Sequence, residues 1–232
     1  MLEKEGNSSN WMFGYRDDLR VRVVNMSSNR EDLKYLIHEP VGCGYALMAY
    51  MMLPQTIAQD IGVRISKTMA VKSGCDTREI MDIAMKNTIE RAPAELYKLA
   101  DALFLMPGMG EGNLLGKQIE LTGEPCLLVL KNKDDRFGAT ALFYPDVQRQ
   151  VAETVQGDYF VLPSSIHEVL ILKDDGTQNA KDLVEMVKNV NDMEVAPEEQ
   201  LGNKVLHYRK DLERLEVVAD LDRETDREKV RG

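Results

Sequence analysis
The longest apolar run in this chain is thirteen residues, 41–53, and it stops at Pro54. A helix that crosses a bilayer needs about 20 such residues, so this segment is read as part of a packed core. The other apolar segments are shorter and follow two periods. Residues 19–25 carry Val21, Val23 and Val24, the β-branched bulk of a strand. Residues 62–72 set Val63, Ile65, Met69 and Val71 against Arg64, Ser66 and Lys72, the alternation of a half-buried strand. Residues 45–53, 126–130, 159–162, 166–172 and 214–218 read as further strands, with helix left open for 45–53 by its methionines and alanines.

Between these lie segments of helical period. Ser28 or Asn29 opens a short helix to Leu36. Asp76, with Glu79 three residues on, starts a helix with Ile80, Ile83, Ala84 and Asn87 on one stripe. Pro93 is expected to open a helix with Leu96, Leu99 and Leu103 inward, and Pro145 one that runs to Val155. Asn179 caps a helix carrying Leu183, Met186, Val187 and Val190, and Pro197 starts a further turn. The expected fold class is therefore α+β, a mixed β-sheet packed against helices. The expected organisation is an N-terminal arm at 1–18, one domain at 19–218 and a charged tail at 219–232.

Two stretches line up. Residues 50–54 (Tyr-Met-Met-Leu-Pro) match 159–163 (Tyr-Phe-Val-Leu-Pro), and Ile57 corresponds to Ile166. The match suggests halves at 20–92 and 126–195, each a β-α-β-β-α unit, related by a pseudo-twofold axis. Common α/β grammar explains the same likeness without duplication, and strand order distinguishes the two.

The net charge is −10. An acidic surface repels phosphate backbones, so nucleic acid and anionic lipid are disfavoured partners and a protein partner is favoured. Cys43, Cys75 and Cys126 are widely spaced with no Cys-x-x-Cys pair, which fits free thiols in a reducing cytosol and gives no zinc spacing. The first five residues have neither the basic region nor the apolar core of a signal peptide. The expected location is cytoplasmic.

The block Pro163-Ser164-Ser165-Ile166-His167-Glu168 holds the best candidates for chemistry. A zinc-binding His-Glu-x-x-His needs histidine at 171, which is Ile. On a strand, alternation parts His167 from Glu168 and puts Ser165 and His167 on one face, so a serine nucleophile with a histidine base is conceivable. Positions i and i+2 on a strand lie about 7 Å apart, too far for a direct hydrogen bond without a bend. The structural alternative has Ser164 and Ser165 bonding the backbone at a turn after Pro163 while His167 makes a polar contact. That alternative is preferred.

Gly108, Gly110, Gly112 and Gly116-Lys117 invite a nucleotide reading, but Glu111, Asn113 and Gln118 break both phosphate-loop spacings. Asp134-Asp135 and Asp174-Asp175 read as solvated turns, and His38 and His207 as isolated. The thirteen methionines read as core filler or an adaptable surface. No metal or cofactor is implied.

The stretch from about residue 19 to 218 resembles an uncharacterised domain family of gut-type Gram-positive bacteria and their mobile elements. The block at 163–168 is its strongest match, supported by Val24-Asn25, by Gly138-Ala139 before Tyr144 and by Met186-Val187. The resemblance transfers no activity. The favoured expectation is a non-enzymatic binding or regulatory protein; the competing one is a hydrolase using Ser165 and His167.

Overall fold
The computed structural model describes residues 11–53, 62–104, 112–119, 127–134 and 136–222. A 3-10 helix, Trp11–Asp18, precedes β1 (Leu19–Asn25), α1 (Arg30–Leu33), β2 (His38–Gly42), β3 (Tyr45–Met52), β4 (Gly62–Arg64), α2 (Lys67–Ser73) and α3 (Thr77–Arg91). Then come β5 (Ala94–Lys98), α4 (Leu99–Phe104), β6 (Leu127–Asn132), a 3-10 segment Gly138–Phe143, α5 (Val147–Val155) and β7 (Tyr159–Leu162). The described chain ends with β8 (Val169–Lys173), α6 (Ala180–Glu194), a 3-10 turn Pro197–Glu199, β9 (Lys204–Arg209) and β10 (Arg214–Asp220). The fold is α+β, as expected, with two antiparallel sheets. Contacts divide the chain into two compact units, Met1–Arg91 and Ala92–Gly232, a division that falls inside the stretch 19–218.

In the first unit β3 is central. It pairs with β1 on one edge, and on the other first with β2 and then with β4. The change of partner is made by three buried residues in a ring of hydrogen bonds. Ile37 N–H donates to Ile65, Ile65 to Ala49, and Ala49 back to Ile37, at 2.9–3.1 Å. The outer edge of β1 is closed by α3, because Thr88 Oγ1 accepts the Val21 N–H at 2.9 Å and Asn87 donates to the Leu19 carbonyl at 3.2 Å. A sheet edge covered in this way is shielded from pairing with another chain. Leu33 of α1 and Leu36 just beyond it pack against Val24, Ala46 and Met48.

The second unit is one six-stranded sheet, in order β10-β9-β7-β8-β6-β5. Phe160, Leu162, Leu172 and Val205 project from one face onto Leu183, Val184 and Val187 of α6. Alternation sends Tyr159 and Val161 to the other face, where the Tyr159 hydroxyl donates to the Gln148 carbonyl of α5 at 3.1 Å. The outer edge of β5 is closed by Asn113, whose Oδ1 accepts the Leu96 N–H at 2.9 Å and whose Nδ2 donates to Ala94 at 3.1 Å. Asn113 is the residue that breaks the dinucleotide spacing, and here its amide imitates a strand. Gly108 lies outside the described residues, as do Gly110, Cys126 and Asp135.

Several expectations are corrected. The strand read over 62–72 ends at Arg64, because Ser66 caps α2 by accepting the Met69 N–H at 3.1 Å and Gly74, at φ +64°, closes it. The helix expected from Pro93 is instead strand β5, and helix α4 begins only at Leu99. The strand read over 166–172 begins at Val169, so His167 is not on a strand. The duplication is not seen in the strand order: β3 lies between β1 and β4, whereas β8 lies between β6 and β7.

Candidate functional site
The block 163–168 forms the corner between β7 and β8. β7 ends at Leu162 because Pro163 has no N–H to continue the ladder. Beyond it the chain is tied on two sides. The Leu201 N–H donates to the Ser164 carbonyl at 3.0 Å, and the Ile166 N–H to the Glu199 carbonyl at 2.9 Å. Ser165 and Gln200 pair as a single antiparallel bridge between those bonds. On the other side the Ala139 N–H donates to the Ile166 carbonyl at 3.2 Å. Gly138 lies so close that a Cβ there would stand 2.1 Å from the His167 carbonyl oxygen. Only glycine permits that approach.

Ser165 is 6% exposed, and its Oγ accepts the backbone N–H of His167 at 3.0 Å. This serine-turn bond bends the chain into β8. The imidazole of His167 points elsewhere. Its Nε2 lies 3.2 Å from Glu199 Oε1, and its ring is nearly parallel to that of Phe137 at 6.3 Å between centroids. Phe137 reaches this position with a left-handed backbone, φ +51°. The structure thus brings Ser165 and His167 into contact through a backbone N–H. The hydroxyl serves the turn, and the imidazole serves a contact with Glu199 and a ring stack. Glu168 follows, half-buried, immediately before β8.

A second constellation was not legible. His207 on β9 was read as isolated and Asp174 as part of a solvated turn. Their side chains meet, Nε2 to Oδ2 at 2.9 Å, with the Phe160 ring 4.7 Å from the imidazole. The other oxygen of Asp174 accepts the Gly176 N–H at 2.8 Å, which orients the carboxylate. The signal lay in the pairing of β9 with β7, which sets His207 opposite Phe160, and long-range register is not written in local pattern. Among the described residues the hydrogen-bond partner of this imidazole is Asp174 alone, so the pair holds two members of a catalytic triad and no nucleophile. Asp175 does behave as a turn residue: its Oδ1 accepts from the Thr177 N–H and hydroxyl, which lowers its carboxyl below the ordinary range.

Cys75 is a free thiol, half-buried after α2. Among the described residues no three His, Cys, Asp or Glu side chains are grouped to hold a metal ion. Among them, too, no helix is long and apolar enough to cross a membrane.

No curated protein and no solved structure matches this chain. One family model does, over residues 8–210, which takes in the first sheet, β5 to β9 of the second and the whole corner at 163–168. The chain belongs to the family of unknown function DUF5688.

Proposed function
We propose that this chain is a non-enzymatic binding or regulatory protein, working in the bacterial cytosol and serving a mobile element. One observation carries the reading. The nucleophile and base that the sequence offers are both engaged in holding the corner, Ser165 on the His167 N–H and His167 against Glu199. A hydrolase would need Ser165 Oγ freed from that bond, exposed and turned to the imidazole, which would leave a part-buried N–H without its partner at a cost of about 1 kcal/mol. The free thiol of Cys75 supports a reducing compartment. A net charge of −10 supports a protein partner over nucleic acid. The resemblance of the 163–168 block supports the bacterial and mobile-element setting.

The test is covalent. The folded full chain is incubated with a fluorophosphonate serine probe and its mass measured intact and after digestion. The expected result is no adduct on Ser165. An adduct at Ser165 that disappears in His167→Ala would overturn the reading and establish the hydrolase.

A further inference from the structure
Helix α6 carries more apolar surface than its seat on the sheet uses. It buries Leu183, Val184 and Val187 against the second sheet. Met186, Val190 and Met193 follow one another at i+4 and i+3 spacing, so they form one continuous row beside that buried face. Val190 is half-buried, Met186 is 47% exposed and Met193 is 72% exposed. Among the described residues α6 is the one helix with two exposed large hydrophobics.

Negative charge borders the row. Asp182 stands at its head, one turn before Met186, and Glu194 at its end. Glu185, Asn189 and Asp192 form the next row, toward solvent, and all three are exposed. Lys188, on the far side of those carboxylates, is ion-paired to Asp192, with Glu185 adding to the pull on its ammonium. Among the described residues Asp182, Glu185 and Glu194 form no ion pair. The excess extends through this unit. Residues 1–91 hold twelve Lys or Arg and twelve Asp or Glu, so the whole net charge of −10 falls on residues 92–232.

This charge selects the occupant. A helix that lies on anionic lipid edges its apolar stripe with Lys and Arg. Carboxylates in that place repel such a surface, and they repel a phosphate backbone as well. A second copy of the chain would bring the same carboxylates to the row. An amphipathic helix with one apolar stripe and Lys or Arg beside it fits both features at once. Methionine suits such a seat, because its unbranched, polarisable side chain repacks against varied apolar partners. We propose that the Met186–Val190–Met193 row docks a basic amphipathic helix of a partner protein, whose cations pair with Asp182, Glu185 and Glu194. The proposal rests on the reading of the chain as a binding protein and names the chemistry of its partner.

The probe is a fluorescent synthetic peptide of Leu and Lys, patterned as an amphipathic helix and titrated with the full chain while anisotropy is read. Two control peptides carry Glu in place of Lys, or the same residues with Leu spread around the helix. The expected result is saturable binding of the Leu-Lys helix, weaker binding of the spread peptide and none of the Glu peptide. Met186→Ala with Met193→Ala should weaken binding about tenfold or more, as the loss of central apolar anchors does. Asp182→Asn with Glu185→Gln should weaken it and flatten its dependence on salt. Leu212→Ala removes an exposed apolar residue between β9 and β10 and should bind as the wild type does. The substituted side chains are exposed, so the variants should fold. If the double methionine variant does not, Met193→Ala alone carries the comparison. Equal binding of the Leu-Lys and spread peptides would overturn the proposal, since charge alone would then suffice. So would folded methionine variants that bind as the wild type does, an equal loss in Leu212→Ala, or no binding of the Leu-Lys helix. A serine-probe adduct at Ser165 would overturn the binding reading itself, whereas failure of the peptide without an adduct overturns this site alone.

Discussion

Replacing Gly138 with alanine tests the corner at its tightest point. A Cβ at this position would stand 2.1 Å from the His167 carbonyl oxygen, and 3.0 Å from the Asn132 nitrogen and from Lys131 Cβ. An ordinary carbon–oxygen contact is about 3.3 Å, so the carbonyl must retreat by about 1.2 Å. It belongs to a backbone tied by Ser165 Oγ to the His167 N–H and by the Ala139 N–H to the Ile166 carbonyl. Overpacking of this kind costs about 1–3 kcal/mol, and losing either hydrogen bond adds about 1 kcal/mol. A total near 3 kcal/mol lowers the melting temperature of a unit this size by about 10 °C. The control is Gly157→Ala in the same unit, where the nearest atom is Lys173 Cε at 4.0 Å and the change should stay within about 0.5 kcal/mol. Thermal and urea unfolding followed by circular dichroism measure both variants. A Gly138→Ala chain melting within 2 °C of the wild type, by the scaling above, would refute the reasoning.

Two further perturbations test other joints of the fold. Thr88→Val keeps the shape and removes the hydroxyl that accepts the Val21 N–H, so it should cost about 1–2 kcal/mol and speed exchange of the Val21 amide, while unchanged exchange would show that α3 does not close that edge. Tyr159 is buried, and burial and then Tyr208 hold its phenol well above the ordinary range. Above about pH 10 the unfolded chain therefore loses this proton while the native chain keeps it, so stability is complete below pH 10 and falls as pH rises. Tyr159→Phe should be less stable by about 1 kcal/mol at pH 8, having lost the bond to Gln148, and should show a shallower alkaline decline. Parallel declines in urea midpoint between pH 9 and 11 would contradict this.

What was legible followed from local chemistry. β1 is bounded as its valines suggested, and Asn179 caps α6 by accepting the Lys181 N–H. Asn29 precedes α1 without a side-chain cap bond, and that helix ends at Leu33 and not at Leu36. The misreadings occurred where distant pairing decides the state. Ala94–Lys98 consists largely of good helix formers, yet it is a strand because β6 pairs with its whole length and Asn113 completes its outer edge. In 62–72 the alternation holds only to Ile65. After it the capping hydroxyl of Ser66 outweighs the pattern, and Val71, expected to be buried, is 78% exposed on α2. At the candidate site, the turn role of Ser165 was legible because Pro-Ser-Ser is turn chemistry. The partners of His167 were not, since Glu199 comes from a 3-10 turn thirty-two residues away and Phe137 from thirty residues before.

Whether the corner at 163–168 is a structural lock is tested most directly by native-state hydrogen exchange at the His167 amide. If Ser165 Oγ holds that N–H inside a tied corner, the amide exchanges only through large-scale opening of the second unit, as slowly as those of β8. Ser165→Ala should then release it by about tenfold or more while leaving Val169 and Ile171 protected. Exchange of the wild-type His167 amide at the rate of an open loop, unchanged in Ser165→Ala, would show that the hydroxyl is not spent on the turn and would return Ser165 to the list of available nucleophiles.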